Sequence, residues 1–195
     1  MNYLAHAYLS FNRIEILLGN MSSDFIKGKK KFDYPLGVQN GIALHRLIDA
    51  FTDEHPATAN AKVFFKPSVG LYAGAFVDVV YDHFLANDKN QFPTNEQLQN
   101  FATNTYQQLQ LHKDVLPLKL QQMLPYMQSQ NWLYNYQFNW GIQKSFEGVV
   151  RRATYLNNSN EAFEAFEKNY EALQDCYNLF FDDVKKIAFQ QIQLY

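Results

Sequence analysis

Apolar residues recur at steps of three and four along most of this chain. The pattern is clearest near the C-terminal end. There Phe163, Phe166, Tyr170, Leu173, Tyr177, Phe180, Val184 and Ile187 alternate those steps and predict one long amphipathic helix facing a core. Thr94 with Gln97 reads as a capping box ahead of Leu98, Phe101, Thr105 and Leu109, again spaced three or four apart. Upstream, Asn12 with Glu15 resembles a cap and its reciprocal partner, and Gly19 reads as the stop of that short helix. Pro35 is placed to open a further helix that runs to Pro56, and Pro67 with Ser68 separates it from the next. No segment alternates at period two for long enough to compete as a strand. With no internal repeat or linker, the expectation is an all-α, single-domain helical bundle over residues 1–195.

One stretch breaks the rule that polar residues share an outer face. In AGAFVDVVYDHFLAND, Ala73 to Asp88, helical spacing of about 100° per residue puts Asp78 and Asp82 on one strip. Leu71, Ala75, Val79 and Leu85 share or flank that strip, while Phe76, Val77, Val80 and Phe84 cover the opposite side. A helix apolar all round is normally buried. Buried carboxylates are costly unless paired, hydrogen-bonded or bound to a metal. Adjacent buried carboxylates also repel, so one would hold its proton unless a divalent cation removes the penalty.

Composition narrows the classes. Hydrophobic residues make up 47% of the 195 positions and aromatics 16%, which suits a globular protein with a substantial core. A formal charge of −2 gives no global reason to expect nucleic-acid binding. The single Cys176 excludes an internal disulfide and a multi-cysteine zinc site, and it fits a reducing cytoplasm. MNYLAHAYLSF lacks a basic leader and carries His6 within its apolar run, so no signal peptide is expected. The longest uncharged stretch, Leu120 to Gln143, is rich in Gln and Asn and broken by Pro125; no membrane partner is expected from it.

The candidate chemistry lies in four short elements. His6 in YLAHAYL, taken alone, reads as a core histidine. Asp24 in GNMSSDFIKG reads equally as a helix cap or a functional carboxylate. In GIALHRLIDAFTDEHP, His45, Asp49 and Asp53 lie along one drifting helix face, which alone fits a solvated polar side. Asp78 and Asp82 have no polar face to occupy, so they favour function. Histidine with several aspartates and no thiolate cluster suits manganese, iron or magnesium, and zinc less exclusively. Phosphate loops, GxSxG elbows, HExxH and CxxC motifs are all missing.

MNYLAHAYLS, GNMSSDFIKG, GIALHRLIDAFTDEHP and DVVYDHFLA, in this order and spacing, resemble the acyl-carrier-protein phosphodiesterase family. NWLYNYQF and GIQKSFEGVVRRA are looser echoes, and the last forty residues match only in helical character. The resemblance implies a fold similar to HD-type metal phosphohydrolases. It implies hydrolysis of the phosphodiester joining 4′-phosphopantetheine to a serine of holo acyl carrier protein, giving apo carrier protein and 4′-phosphopantetheine. It also implies a divalent cofactor, manganese first, with Mg2+ or Fe2+ as alternatives. One departure matters: the HD signature has His followed by Asp, whereas here Asp82 precedes His83 and His45 pairs with Asp49 four residues on. Ligand roles therefore do not transfer one by one.

On these grounds Asp24, His45, Asp78 and Asp82 are the expected metal core, with Asp49 either binding the metal or supporting its ligands. His6 and His83 are the expected acid, base or phosphate contacts, and Arg46 the residue that neutralises a phosphate oxygen. Lys27, Lys29, Lys30 and Lys31 follow Asp24 closely and read either as a docking patch for an acidic carrier protein or as a solvated loop. Trp132 to Trp140, WLYNYQFNW, is a candidate lining for the pantetheine arm, or simply core. Two other functions fit the residues: a metal phosphohydrolase acting on a nucleotide or other small phosphoester, and a helical scaffold whose buried polar residues form a structural network.

Overall fold

The computed structural model describes residues 1–195 and contains helices but no strands, as the apolar spacing predicts. The first five α-helices are α1 (Tyr3–Tyr8), α2 (Ile14–Ser22), α3 (Leu36–Glu54), α4 (Pro56–Val69) and α5 (Ala73–Asn87). They are followed by α6 (Asn95–Leu111), α7 (Leu118–Ser129), α8 (Trp132–Asn135) and α9 (Asn139–Arg152). The chain closes with α10 (Asn160–Lys168) and α11 (Tyr170–Ile192). Their inward faces meet in one continuous cluster of 51 buried apolar residues, which spans the chain from Met1 to Ile192.

Helix α5 runs through the middle of this cluster and packs against α1, α4, α9 and α11. Its apolar side chains leave no polar face, so its burial follows from composition. By length and mean hydropathy alone, Pro56–Asn87 is apolar enough to cross a membrane. The chain reverses within it, however, at Gly70, whose φ of 56° lies in the left-handed region that favours glycine. Helices α4 and α5 therefore pack on each other inside the fold.

Four helix boundaries differ from the sequence expectation. Pro67 does not end α4; it lies within the last turn, and the break comes at Gly70. The long C-terminal helix is divided at Asn169, whose side-chain amide and backbone N–H both donate to the Ala165 carbonyl. A side chain that competes for a helical carbonyl in this way disturbs the regular ladder. Gly19 does not stop α2, and Asn12 does not cap it. Gly19 instead lies where α2 crosses α3. A Cβ there would strike the Val38 carbonyl and come within 2.8 Å of the Gly41 Cα.

Helix α1 has only six residues, too few to be stable alone. Its free N-terminal amides are satisfied by Asp82 of α5. Asp82 Oδ2 accepts from Leu4 N at 2.7 Å, and Oδ1 accepts from Asn2 N and Ala5 N, each at 3.2 Å. Both carboxylate oxygens are thus committed to backbone donors, at a residue with no solvent exposure. Asp82, expected from the sequence in the metal core, here anchors α1 to α5. Burial pushes its carboxyl up to about 7, against the pull of the Met1 ammonium and the three amides.

Asp82→Asn retains the shape but turns one acceptor into a donor facing backbone N–H groups. The variant is expected to lose about 1–3 kcal/mol, the usual cost of an unsatisfied buried polar group. For a chain of this size each kcal/mol lowers Tm by about 2–4 °C. A Tm equal to that of the parent in a thermal melt would show that the cap contributes nothing.

Candidate metal centre

The close crossing of α2 and α3 places Asn20 against His45. Asn20 is fully buried. Its backbone carbonyl lies 2.7 Å from His45 Nδ1, and its side-chain Oδ1 lies 2.8 Å from His6 Nδ1 on α1. The amide orientation is fixed because Nδ2 donates to the His6 carbonyl at 2.8 Å and to Ser10 Oγ at 3.2 Å. Each histidine therefore faces a carbonyl oxygen with Nδ1, which must carry the proton. Both rings stack, with centroids 3.9 Å apart and planes 13° from parallel. Their Nε2 atoms point to the same side.

Asp49, one helical turn beyond His45, meets both of them. Its Oδ1 is 3.2 Å from His6 Nε2, and its Oδ2 is 3.0 Å from His45 Nε2. Asp24 sits on a 3-10 turn at the end of α2 and brings Oδ1 to 3.1 Å from His45 Nε2. Asp78 is set back from the rings: its Oδ1 accepts from the Met1 ammonium at 2.8 Å, and that ammonium is also 3.6 Å from Asp49. The ligand atoms of His6, His45 and Asp49 all lie within 4.8 Å of one another, close enough to hold one metal ion.

The electrostatics of the two histidines differ. Burial and the neighbouring His45 push the His6 imidazole down to about 4, so it is neutral at pH 7. Burial also opposes charge on His45, but the Asp24 and Asp49 carboxylates outweigh it and raise that imidazole to about 9. Asp49 pays the desolvation cost of burial, yet the two imidazoles and the Met1 ammonium hold its carboxyl well below the usual range. Asp24 is lowered by its bond to His45. Burial raises Asp78, against the Met1 ammonium beside it.

A cation fits this set of donors. His6 Nε2 is buried and makes no hydrogen bond; although Asp49 is near, the contact lacks hydrogen-bond direction. With Nδ1 protonated, that nitrogen offers a lone pair toward a carboxylate, and two acceptors face each other. Histidine ligands of metals typically donate their other ring nitrogen to a carbonyl or carboxylate, as both rings do here to Asn20. Two imidazoles with carboxylates and no thiolate match a borderline to hard divalent ion.

Other residues proposed from sequence lie elsewhere. His83 is enclosed away from this cluster, with Nδ1 2.7 Å from the Tyr136 carbonyl and Nε2 2.9 Å from the Tyr170 hydroxyl. Both nitrogens are occupied, and burial lowers the imidazole to about 4, which makes it a neutral structural link between α5, α8 and α11. Arg46 is exposed and donates to the Ile26 carbonyl at 3.3 Å. Lys27, Lys29 and Lys30 are exposed and Lys31 half-buried on the 3-10 segment Gly28–Asp33 and the residue before it, just beyond Asp24. Asn20 was absent from the sequence reading. The signal available was an amide at a helical step from Ile16 and next to Met21, on the apolar side of α2.

The model of the acyl carrier protein phosphodiesterase family matches residues 1–184. The chain belongs to that family. An acyl carrier protein phosphodiesterase of Yersinia pestis is 30% identical over 188 residues, covering 96% of this chain and 97% of the relative. One from Photorhabdus laumondii is 31% identical over 170 residues, covering 87% and 86% respectively. One from Enterobacter sp. is 30% identical over 181 residues, covering 93% and 94%. No solved structure matches the chain, so the likeness to HD-type phosphohydrolases rests on sequence alone.

Metal binding must displace the His45 proton, because a ligating nitrogen is deprotonated. The imidazole stays charged up to about 9 in the metal-free protein. Below that pH, affinity should rise about tenfold per unit as pH increases, then level off, with about one proton released per ion at pH 7. The raised value also stabilises the metal-free fold fully below 6.5, and this stabilisation is lost as pH rises through about 9. Calorimetry in buffers of different ionisation enthalpy counts the released proton. A count of zero would remove His45 from the ligand set.

Proposed function

We propose that this chain hydrolyses the phosphodiester between 4′-phosphopantetheine and a serine of holo acyl carrier protein. The products are apo carrier protein and free 4′-phosphopantetheine. The convergence of His6 Nε2, His45 Nε2 and Asp49 on one point, in a member of this family, is the observation that carries the reading. His6, His45 and Asp49 would hold the ion, with the exposed Asp24 completing the set toward solvent. Manganese is the preferred ion, with magnesium or iron as alternatives. When bound, a divalent ion there polarises a phosphoryl oxygen and lowers the pKa of a bound water toward neutrality.

The remaining chemistry belongs to the protein. Asn20 holds both imidazoles with Nδ1 protonated, so His6 presents its Nε2 lone pair directly and His45 presents its own once its Nε2 proton leaves. Asp49 spans the two rings and fixes their spacing. Asp78 and the Met1 ammonium neutralise each other behind Asp49, which keeps negative charge from accumulating where an anionic phosphodiester must approach. Asp24 is 65% exposed along its side chain, so the mouth of the centre lies on its side. The lysines that follow it put positive charge beside that mouth, suited to steering an acidic carrier protein. We assign the whole of residues 1–195 to this one catalytic unit, acting in the cytoplasm.

Purified protein stripped of metal should leave the mass of holo carrier protein unchanged, and manganese should restore its conversion to the apo form. Activity that survives exhaustive chelation would rule out the metal centre. Lys29, Lys30 and Lys31 changed together to Glu should lower kcat/KM for the carrier protein. That loss should shrink with salt, since exposed attraction is screened over about 8 Å at about 0.15 M ionic strength. A small chromogenic phosphodiester should be hydrolysed equally by parent and variant. Equal losses on both substrates would place the lysines in the metal site or the fold, and an unchanged carrier-protein rate at low salt would remove them from docking.

A further inference from the structure

A cleft of about 740 Å³ lies beside α1, walled by α7, α8 and α9. Sites for small molecules occupy about 300–1,000 Å³. Along α9, Trp140, Lys144, Gly148, Arg151 and Arg152 recur at steps of three and four, so one face of the helix forms a wall. Trp132 and Tyr126 line the cleft from other elements. The cations on this face are not neutralised: neither arginine nor Lys144 takes part in an ion pair, and Lys144 Nζ rests 5.4 Å from the Trp140 ring centre. Aromatic surface and unpaired positive charge thus share one concavity.

The cleft touches α1 at Tyr3, one helical turn before His6. Tyr3 lines the cleft, and its ring centre is 6.2 Å from that of Trp132. Its hydroxyl feels the charges of both Arg152 on the cleft side and Asp24 on the centre side. Arg152 closes α9, while Trp140, at its start, lies about 18 Å away at about 1.5 Å per residue.

We propose that this cleft holds the phosphopantetheine arm, laid along α9 with its phosphate beside Tyr3 and Arg152 and its thiol toward Trp140. The assignment rests on the function proposed above. Length supports it: the arm has about thirteen bonds from phosphorus to sulfur, which at peptide-like extension span about 16 Å. Chemistry supports it as well. The gem-dimethyl segment needs apolar surface, which the tryptophans offer. The two amides need polar partners, which the uncharged polar residues among the lining supply. The phosphate needs a planar cationic donor, the preferred role of arginine.

Trp132 and Trp140 are the chain's two tryptophans, so its indole emission reports on this cleft. Titrating metal-free protein with 4′-phosphopantetheine should change that emission saturably, whereas apo carrier protein should not. Gly148→Leu fills the cleft without breaking the fold, because a Cβ there meets only the mobile ends of Arg151 and Arg152, each at 3.9 Å. Replacing a helical glycine should if anything favour α9. This variant should weaken phosphopantetheine binding and raise KM for holo carrier protein about tenfold or more, the equivalent of about 1.4 kcal/mol. If the parent converts holo carrier protein but its emission ignores 4′-phosphopantetheine and Gly148→Leu behaves as parent, the cleft assignment is wrong and the function stands. If apo carrier protein shifts the emission as strongly as the arm, the cleft is a docking surface for the protein and the assignment is again wrong. Failure of the parent to convert holo carrier protein at any metal concentration would remove the function itself.

Discussion

The centre depends on how closely α2 approaches α3. Two glycines set that distance: a side chain at Gly19 would collide with the Val38 carbonyl, and one at Gly41 with the Ile16 carbonyl. Backbone-to-backbone contact brings the Asn20 carbonyl to 2.7 Å from His45. A methyl group at either glycine would push the helices apart by an amount comparable to a hydrogen bond's tolerance. The same asparagine then reaches α1 and fixes His6. One buried amide thus orients two imidazoles on different helices, and the helix crossing orients the amide.

Four carboxylates surround this arrangement, and their partners separate their roles. Asp82 meets only backbone donors, so it ties α1 down. Asp78 meets the Met1 ammonium, so its charge is cancelled locally. Asp49 meets two imidazoles and remains ionised despite partial burial. Asp24 is the most exposed and meets one imidazole. A buried carboxylate is tolerable when its oxygens are satisfied, and here three different kinds of donor satisfy them. Only Asp49 leaves an oxygen beside an unpartnered imidazole nitrogen, His6 Nε2.

Much of this was readable in the sequence. Apolar steps of three and four exposed the all-α fold, and the isotropic apolar character of Ala73–Asn87 identified α5 as buried. The Thr94 cap, the start of α3 after Pro35 and its end before Pro56 also follow from local chemistry. What periodicity does not carry is the partner. It marks Asp82 as a carboxylate in need of compensation, but a metal and the N-terminus of a neighbouring helix are equally good compensators. The same gap hid Asn20 and relegated His6, since neither has a sequence neighbour that betrays its contact across helices. Gly19 shows the converse error: a glycine near a helix end reads as a stop, while its use here is close approach between two helices.

Helix α1 joins these observations, because three of its consecutive demands meet in six residues. Its first turn is held by Asp82, its middle carries His6 to His45 and Asp49, and its Tyr3 lines the aromatic cleft. A helix this short gains little from its own hydrogen bonds and takes its position from tertiary contacts. The placement of a candidate metal ligand, the wall of a cleft and a buried cap are therefore not independent properties of this fold. A change that loosens α1 from α5 moves His6 and Tyr3 together. The expense of burying Asp82 makes sense in that light: a cap stronger than a serine or threonine side chain can provide holds both in register at once.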